Sequence, residues 1–147
     1  MRYYLAGPIQ NSDDYLSWRM DIEAFLSSIG HETLSPLSKY KDRSGDVKKE
    51  MRDLKQSGDV KKVKETMENF IIPKDIELVK EADVIIAYIF TKELFGTTCE
   101  MWEAYREKKK IYVVCMLSVA EWPNWMIGIT DKFFWSFSEL KNFLREQ

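Results

Sequence analysis

Three oxygen-bearing side chains stand where this sequence could do chemistry. They are Tyr4 in Tyr4-Leu5-Ala6-Gly7-Pro8-Ile9, Asp75 ahead of Ala82-Asp83, and Glu100 in Gly96-Thr97-Thr98-Cys99-Glu100. Glu100 follows the apolar run from Asp83 to Phe90 and opens a helical stretch from Met101 to Lys109. A strand, a short glycine-containing loop and a helix start deliver a carboxylate to the carboxyl edge of a parallel sheet, where open α/β folds bind ligands. A carboxylate held there can stabilise a developing positive charge or trap it covalently. Gly7-Pro8, leaving the first predicted strand, brings a second loop to the same edge.

Each of these residues also has a plainer reading. Thr97-x-x-Glu100 is a capping box, in which the threonine hydroxyl takes a helix N–H and the glutamate reaches back to the cap's own N–H. Asp75 reads as a solvated acid favoured by a helix dipole, and Tyr4 as a core strand residue. Trp18, Trp102, Trp122 and Trp125 default to core or interface, with one or two able to stack on a planar ligand. Gly7-Pro8 lacks the Gly-x-Gly-x-x-Gly spacing of a dinucleotide loop. A helix-start position would tend to keep Glu100 ionised, so capping and catalysis compete for one carboxylate.

The elements that must position these groups follow from periodicity. Arg2 to Ala6 predicts a buried strand. Ser12 or Asp13 can cap a helix from about Asp14 to Ile29, whose apolar residues Trp18, Ile22, Phe25 and Leu26 fall at helical spacing; Gly30 stops it. His31 to Ser35 predicts a second strand. The pattern predicts a helix over Pro73 to Glu81, a strand over Asp83 to Phe90, a helix over Thr97 to Lys109 and a strand over Ile111 to Leu117. A loop with Trp122, Pro123, Asn124 and Trp125 leads to a strand near Lys132 to Phe137 and a helix over Ser138 to Arg145. This alternation calls for an α/β three-layer sandwich, Rossmann-like in outline. In a flavodoxin-like arrangement, five mostly parallel strands run in order 2-1-3-4-5, and both glycine loops leave strands that flank the switch point.

The 147 residues fit a single domain, and 45% hydrophobic with 31% charged residues is a soluble composition. No apolar run approaches the ~18 residues of a membrane span, and no export signal is expected, so the expected setting is cytoplasmic. Cys99 and Cys115 are expected as buried thiols rather than a disulfide. One histidine and no Cys-x-x-Cys leave little for a transition metal, so no metal and no cofactor is expected. Residues 39–65 carry ten Lys/Arg against six Asp/Glu. Within them Ser44-Gly45-Asp46-Val47-Lys48-Lys49 recurs as Ser57-Gly58-Asp59-Val60-Lys61-Lys62. This reads as a charged helical insertion after the second strand, a solvated face by default. One local basic segment is not the domain-wide face of a nucleic-acid binder.

The ordered set Tyr4-Leu5-Ala6-Gly7-Pro8-Ile9, Asp75 with Ala82-Asp83, and Gly96-Thr97-Thr98-Cys99-Glu100 resembles the nucleoside 2-deoxyribosyltransferase family. The resemblance covers most of the chain apart from residues 39–65. It implies that Glu100 is the nucleophile on the anomeric carbon, that Tyr4 orients it, and that Asp75 contacts the base and assists its departure. It places Gly7, Pro8, Gly96 and Thr97 around the substrate. It matches Pro123-Asn124 to the asparagine that reaches the sugar 5′-hydroxyl of a neighbouring subunit, which implies a homo-oligomer. The substrates implied are small molecules, a deoxynucleoside or deoxynucleotide and a purine or pyrimidine base, with no polymer and no membrane. Six residues before the nucleophile this chain has Leu94, with Glu93 adjacent. Transferases of the family usually carry an aspartate there, and the related deoxynucleoside 5′-monophosphate N-glycosidases a serine. Glu93 could take the 5′-hydroxyl role, or Ser12, Arg19 and the lysine-rich segment could hold a phosphate. The expected activity is transfer of deoxyribose between bases. The rival readings are hydrolysis of a deoxynucleoside 5′-monophosphate and a non-catalytic nucleotide sensor.

Overall fold

Alternation along each strand sorts the side chains into two cores, one on either face of a single sheet. The computed structural model describes residues 1–9, 14–37 and 44–147, with the side chains of 44–46 outside the description. Ser12 and Asp13, expected to cap the first helix, and Lys39, Lys41 and Arg43 of the basic segment lie outside the described residues. The strands are β1 (Arg2–Ala6), β2 (Glu32–Leu34), β3 (Val84–Ile89), β4 (Lys110–Cys115) and β5 (Lys132–Phe134). All pairings are parallel and the order is β2-β1-β3-β4-β5. The sheet is therefore wholly parallel, in the expected order.

Tyr3, Leu5, Val84, Ile86, Val114 and Phe134 face one layer, built from α1 (Ser17–Ser28) and α7 (Phe137–Arg145). Tyr4, Ala6, Ile85, Ala87, Ile111 and Val113 face the other, built from α4 (Ile72–Glu81), α5 (Phe95–Arg106) and α6 (Asn124–Ile129). The pleat thus decides that Tyr4 points toward α5 and not toward α1. Register sets it beside Ile85 on β3, next to the strand that feeds α5.

The structure departs from expectation in several places. α1 begins at Ser17 rather than near Asp14, with Leu16 at its N-cap and no side-chain cap bond. α6 stands where a loop is expected. The charged insertion holds α2 (Ser44–Gln56) and α3 (Val60–Thr66), and α3 runs without a break into α4 through a π-turn at Met67–Ile71. The Ile72 N–H bonds to the Met67 carbonyl, five residues back. Pro73 follows directly; it has no N–H and its ring crowds the preceding turn, so a widened turn is where such a helix accommodates it. Asp75 is consequently an interior helix residue rather than one near a free helix start. Finally, Cys115 is buried as expected but Cys99 is exposed. Thr97, Met101 and Ala104 take the sheet-facing side of α5, which leaves Cys99 on the outside.

Candidate active site

The glycine loops and the acids meet at the carboxyl ends of β1 and β3. Gly7 leaves β1 beneath Trp18: a Cβ there would lie 2.7 Å from Trp18 Cζ2, so only glycine lets the loop pass this close. Arg19, one residue on, is 2% exposed. Its Nη2 donates to the Gly7 carbonyl at 2.8 Å, and its Nη1 donates to the Tyr15 carbonyl. The loop is thereby fixed to α1.

The capping box does not form. α5 starts two residues earlier than expected, at Phe95, with Leu94 as its N-cap. The buried Leu94 side chain joins the core, and the Thr98 N–H closes the first turn on the Leu94 carbonyl at 2.8 Å. Thr97 and Glu100 are therefore both inside the helix, where their relation is that of neighbours on one face. Glu100 instead accepts a hydrogen bond from the Tyr4 hydroxyl, 2.7 Å from O to Oε1. Tyr4 is fully buried.

Electrostatics depart from the expected helix-start effect as well. Burial raises the Glu100 pKa from 4.5 to about 8, and the charge of Asp75 pushes in the same direction. The Tyr4 hydrogen bond and the Arg19 charge pull it back down. Burial also holds the Tyr4 phenol well above its ordinary value, reinforced by Glu100 and Asp75. Tyr4 is therefore a fixed donor. Desolvation and a neighbouring acid outweigh the dipole here.

Beside these groups opens a cavity of about 770 Å³. Gly7, Pro8, Asp75, Glu93, Gly96, Thr97 and Glu100 all line it. Thus most of the residues singled out in the sequence surround one space. Arg19 does not line it; it lies buried behind the Gly7 loop. Asn124 does not line it either. It is exposed at the first position of α6, next to Pro123, which does. Leu94 lines the wall with its buried side chain, and Glu93 beside it is exposed.

Met67 and Lys92 also line the cavity, and neither was singled out from sequence. Met67 sits at the first position of the π-turn, a feature that no apolar spacing announces. Lys92 is paired with Glu121 at 2.7 Å. Trp122 packs inward, stacked on Phe133 at 4.6 Å, with its Nε1 donating to the Leu117 carbonyl at 2.9 Å. Trp125 is 69% exposed and lies edge-on to Trp102. Among the described residues no group of three or more His, Cys, Asp or Glu side chains could hold a metal ion, and no helix is long and apolar enough to cross a membrane.

No family model and no curated protein matches the sequence. Among solved structures, the chain is similar to the 2-deoxyribosyltransferase of the psychrotolerant bacterium Bacillus psychrosaccharolyticus, with a TM-score of 0.68 and 22% identity over 97% of this chain and 91% of that one. It is also similar to the CMP N-glycosidase BcmB of Clostridium botulinum, with a TM-score of 0.56 and 16% identity over 99% of both chains. The fold is the α/β three-layer fold that these two proteins share with it.

Proposed function

We propose that the chain is an enzyme of the nucleoside 2-deoxyribosyltransferase family that cleaves the N-glycosidic bond of a 2′-deoxyribonucleoside and passes the sugar to another base. The observation that carries this reading is the 2.7 Å bond from Tyr4 to Glu100 at the wall of a cavity that Asp75 also faces. The likeness in fold to a deoxyribosyltransferase supports it.

The chemistry follows from the charges. Breaking the bond leaves positive character on C1′ and an electron pair on the departing base nitrogen. Glu100 attacks C1′ as the C1′–N bond breaks, forming a glycosyl ester, while Asp75 donates a proton to the base. An acceptor base then attacks C1′ from the side the first base left. It loses its N–H proton to Asp75 and releases Glu100, so configuration is retained. Two carboxylates facing one space resist a double negative charge and share a proton. The productive form has the charge on Glu100 and the proton on Asp75, and the Tyr4 O–H favours that distribution. Asn124 would act on the sugar of a neighbouring copy, with exposed Trp125 and Phe95 available for the contact between copies.

Incubating a deoxynucleoside with a labelled free base tests the proposal. Label should enter nucleoside with wild-type protein and not with Glu100→Ala. Equal exchange by that variant would overturn it.

The second reading is hydrolysis of a deoxynucleoside 5′-monophosphate. It is favoured by Leu94 in place of an acid for the 5′-hydroxyl, and by Lys48 of the basic insertion resting over the Tyr15 ring at 4.5 Å, at the lead-in to α1. Nucleoside and monophosphate assayed side by side, with and without acceptor base, separate the two. Turnover of the monophosphate alone, indifferent to added base, selects the hydrolase.

A further inference from the structure

Arg19 is buried on the sheet face opposite Glu100, yet its charge is felt at the site. Burying a guanidinium costs several kcal/mol unless something specific repays it, and desolvation here lowers the Arg19 pKa to about 10. Two of its nitrogens donate to backbone carbonyls, of Gly7 and Tyr15. Its Cζ lies 4.4 Å from the centre of the Trp18 ring. Its Nε is buried without an acceptor among the described residues. Among the described residues no carboxylate is bonded to it. The groups whose charges bear on it are Glu100 on α5, Tyr4 on β1, Asp75 on α4 and Tyr15 ahead of α1. The guanidinium is thus bonded to loop backbone while its positive charge reaches three residues of the site.

We propose that Arg19 is a positioning residue: its planar fork, donating to the Gly7 and Tyr15 carbonyls, locks the Gly7-Pro8 loop that walls the cavity. The proposal rests on the catalytic reading of the cavity for its consequence, but the clamp exists in the free protein and is measured there. A planar donor pair reaching two carbonyls is what distinguishes arginine from lysine at such a position. Trp18 closes the space above Gly7 and presents its ring to the guanidinium, so neither the loop nor the cation can shift alone. This differs from the phosphate-binding part that a surface arginine would have. The side chain lies behind the loop, out of reach of a ligand in the cavity.

The test uses ligand-free protein and amide hydrogen exchange. In Arg19→Lys, which keeps the charge and loses the fork, exchange at Gly7 and Ile9 should speed up at least tenfold, while core amides such as Ile86 exchange as in wild type. Wild-type exchange at Gly7 and Ile9 in folded Arg19→Lys overturns the proposal, and so does equal acceleration throughout the sheet. If Arg19→Lys does not fold, Arg19→Gln carries the test with the same criteria. The readout does not need turnover, so a failed base-exchange assay with faster loop exchange in the variant would refute the transferase reading and leave this one standing.

Discussion

Tyr4 and Glu100 lie 96 residues apart in sequence and are joined by a 2.7 Å hydrogen bond between the phenol and Oε1. The bond exists because the pleat of β1 turns Tyr4 toward α5, and because Leu94 starts that helix early enough to carry Glu100 inward. Tyr4 is fully buried and its phenol stays protonated, so the donor is always present. Tyr4→Phe keeps the ring's packing and removes only this donor. A hydrogen bond to a charged group contributes about 1.5–3 kcal/mol, so kcat/KM should fall by roughly tenfold to a hundredfold. Circular dichroism should be unchanged. Loss of activity together with loss of fold would show that the hydroxyl serves packing instead.

The same bond fixes a pH dependence. Glu100 ionises with a pKa of about 8, raised first by burial and then by Asp75, and on the proposed mechanism the active form carries one proton between the two acids. Above about 8 both are charged and the base has no proton donor, so for the free enzyme kcat/KM should fall as pH climbs through about 8. Tyr4 lowers this pKa, so in Tyr4→Phe the falling limb should move to still higher pH. Activity that keeps rising well above about 8 would contradict the placement of Glu100 in a desolvated site beside Asp75.

Stability falls in the same direction. Between the ordinary value of 4.5 and about 8, the folded chain keeps a proton that the unfolded chain has released. Stability from this group is full below 4.5 and is lost as pH rises through that window. Glu100→Gln removes the penalty. At about pH 9 it should be more stable than wild type by about 1–2 kcal/mol, a figure held down because Glu100 borders an open cavity. Near the acid end the two should unfold together. Denaturant titrations at the two extremes measure this directly.

Gly7→Ala tests the loop. The added Cβ falls 2.7 Å from Trp18 Cζ2, inside any real contact, and Trp18 is held by Tyr88 and Phe137. Displacing it should cost about 1–3 kcal/mol and should depress activity further by shifting the cavity wall. Gly96→Ala meets nothing within 4 Å and should leave stability nearly unchanged.

The sheet was legible in the sequence because buried parallel strands read as short apolar runs and because the glycine loops follow β1 and β3, while Gly30 marks the end of the helix between β1 and β2. Tyr4, Asp75 and Glu100 were legible as candidates by the order of their motifs. Their geometry was not. Thr97-x-x-Glu100 carries the pattern of a cap, and only the packing of Leu94 on the core decides that the helix begins earlier. The continuity of Val60 to Glu81 was hidden because Val60, Val63 and Met67, though at helical spacing, are outnumbered by charged residues, and because Pro73 mimics a helix start. α6 was hidden in Trp122-Pro123-Asn124-Trp125, whose proline reads as loop. Arg19 was visible as a charge, and a charge looks the same in sequence whether it faces solvent or lies beneath a tryptophan.

The most direct measurement is intact-mass analysis of wild-type protein mixed with a 2′-deoxynucleoside, followed by peptide mapping. The account predicts an added mass of one deoxyribosyl group on the peptide holding Glu100. It should be discharged when a second base is supplied, and be absent from Glu100→Gln. Steady turnover with the sugar trapped on another residue, or an adduct that survives in Glu100→Gln, would contradict it.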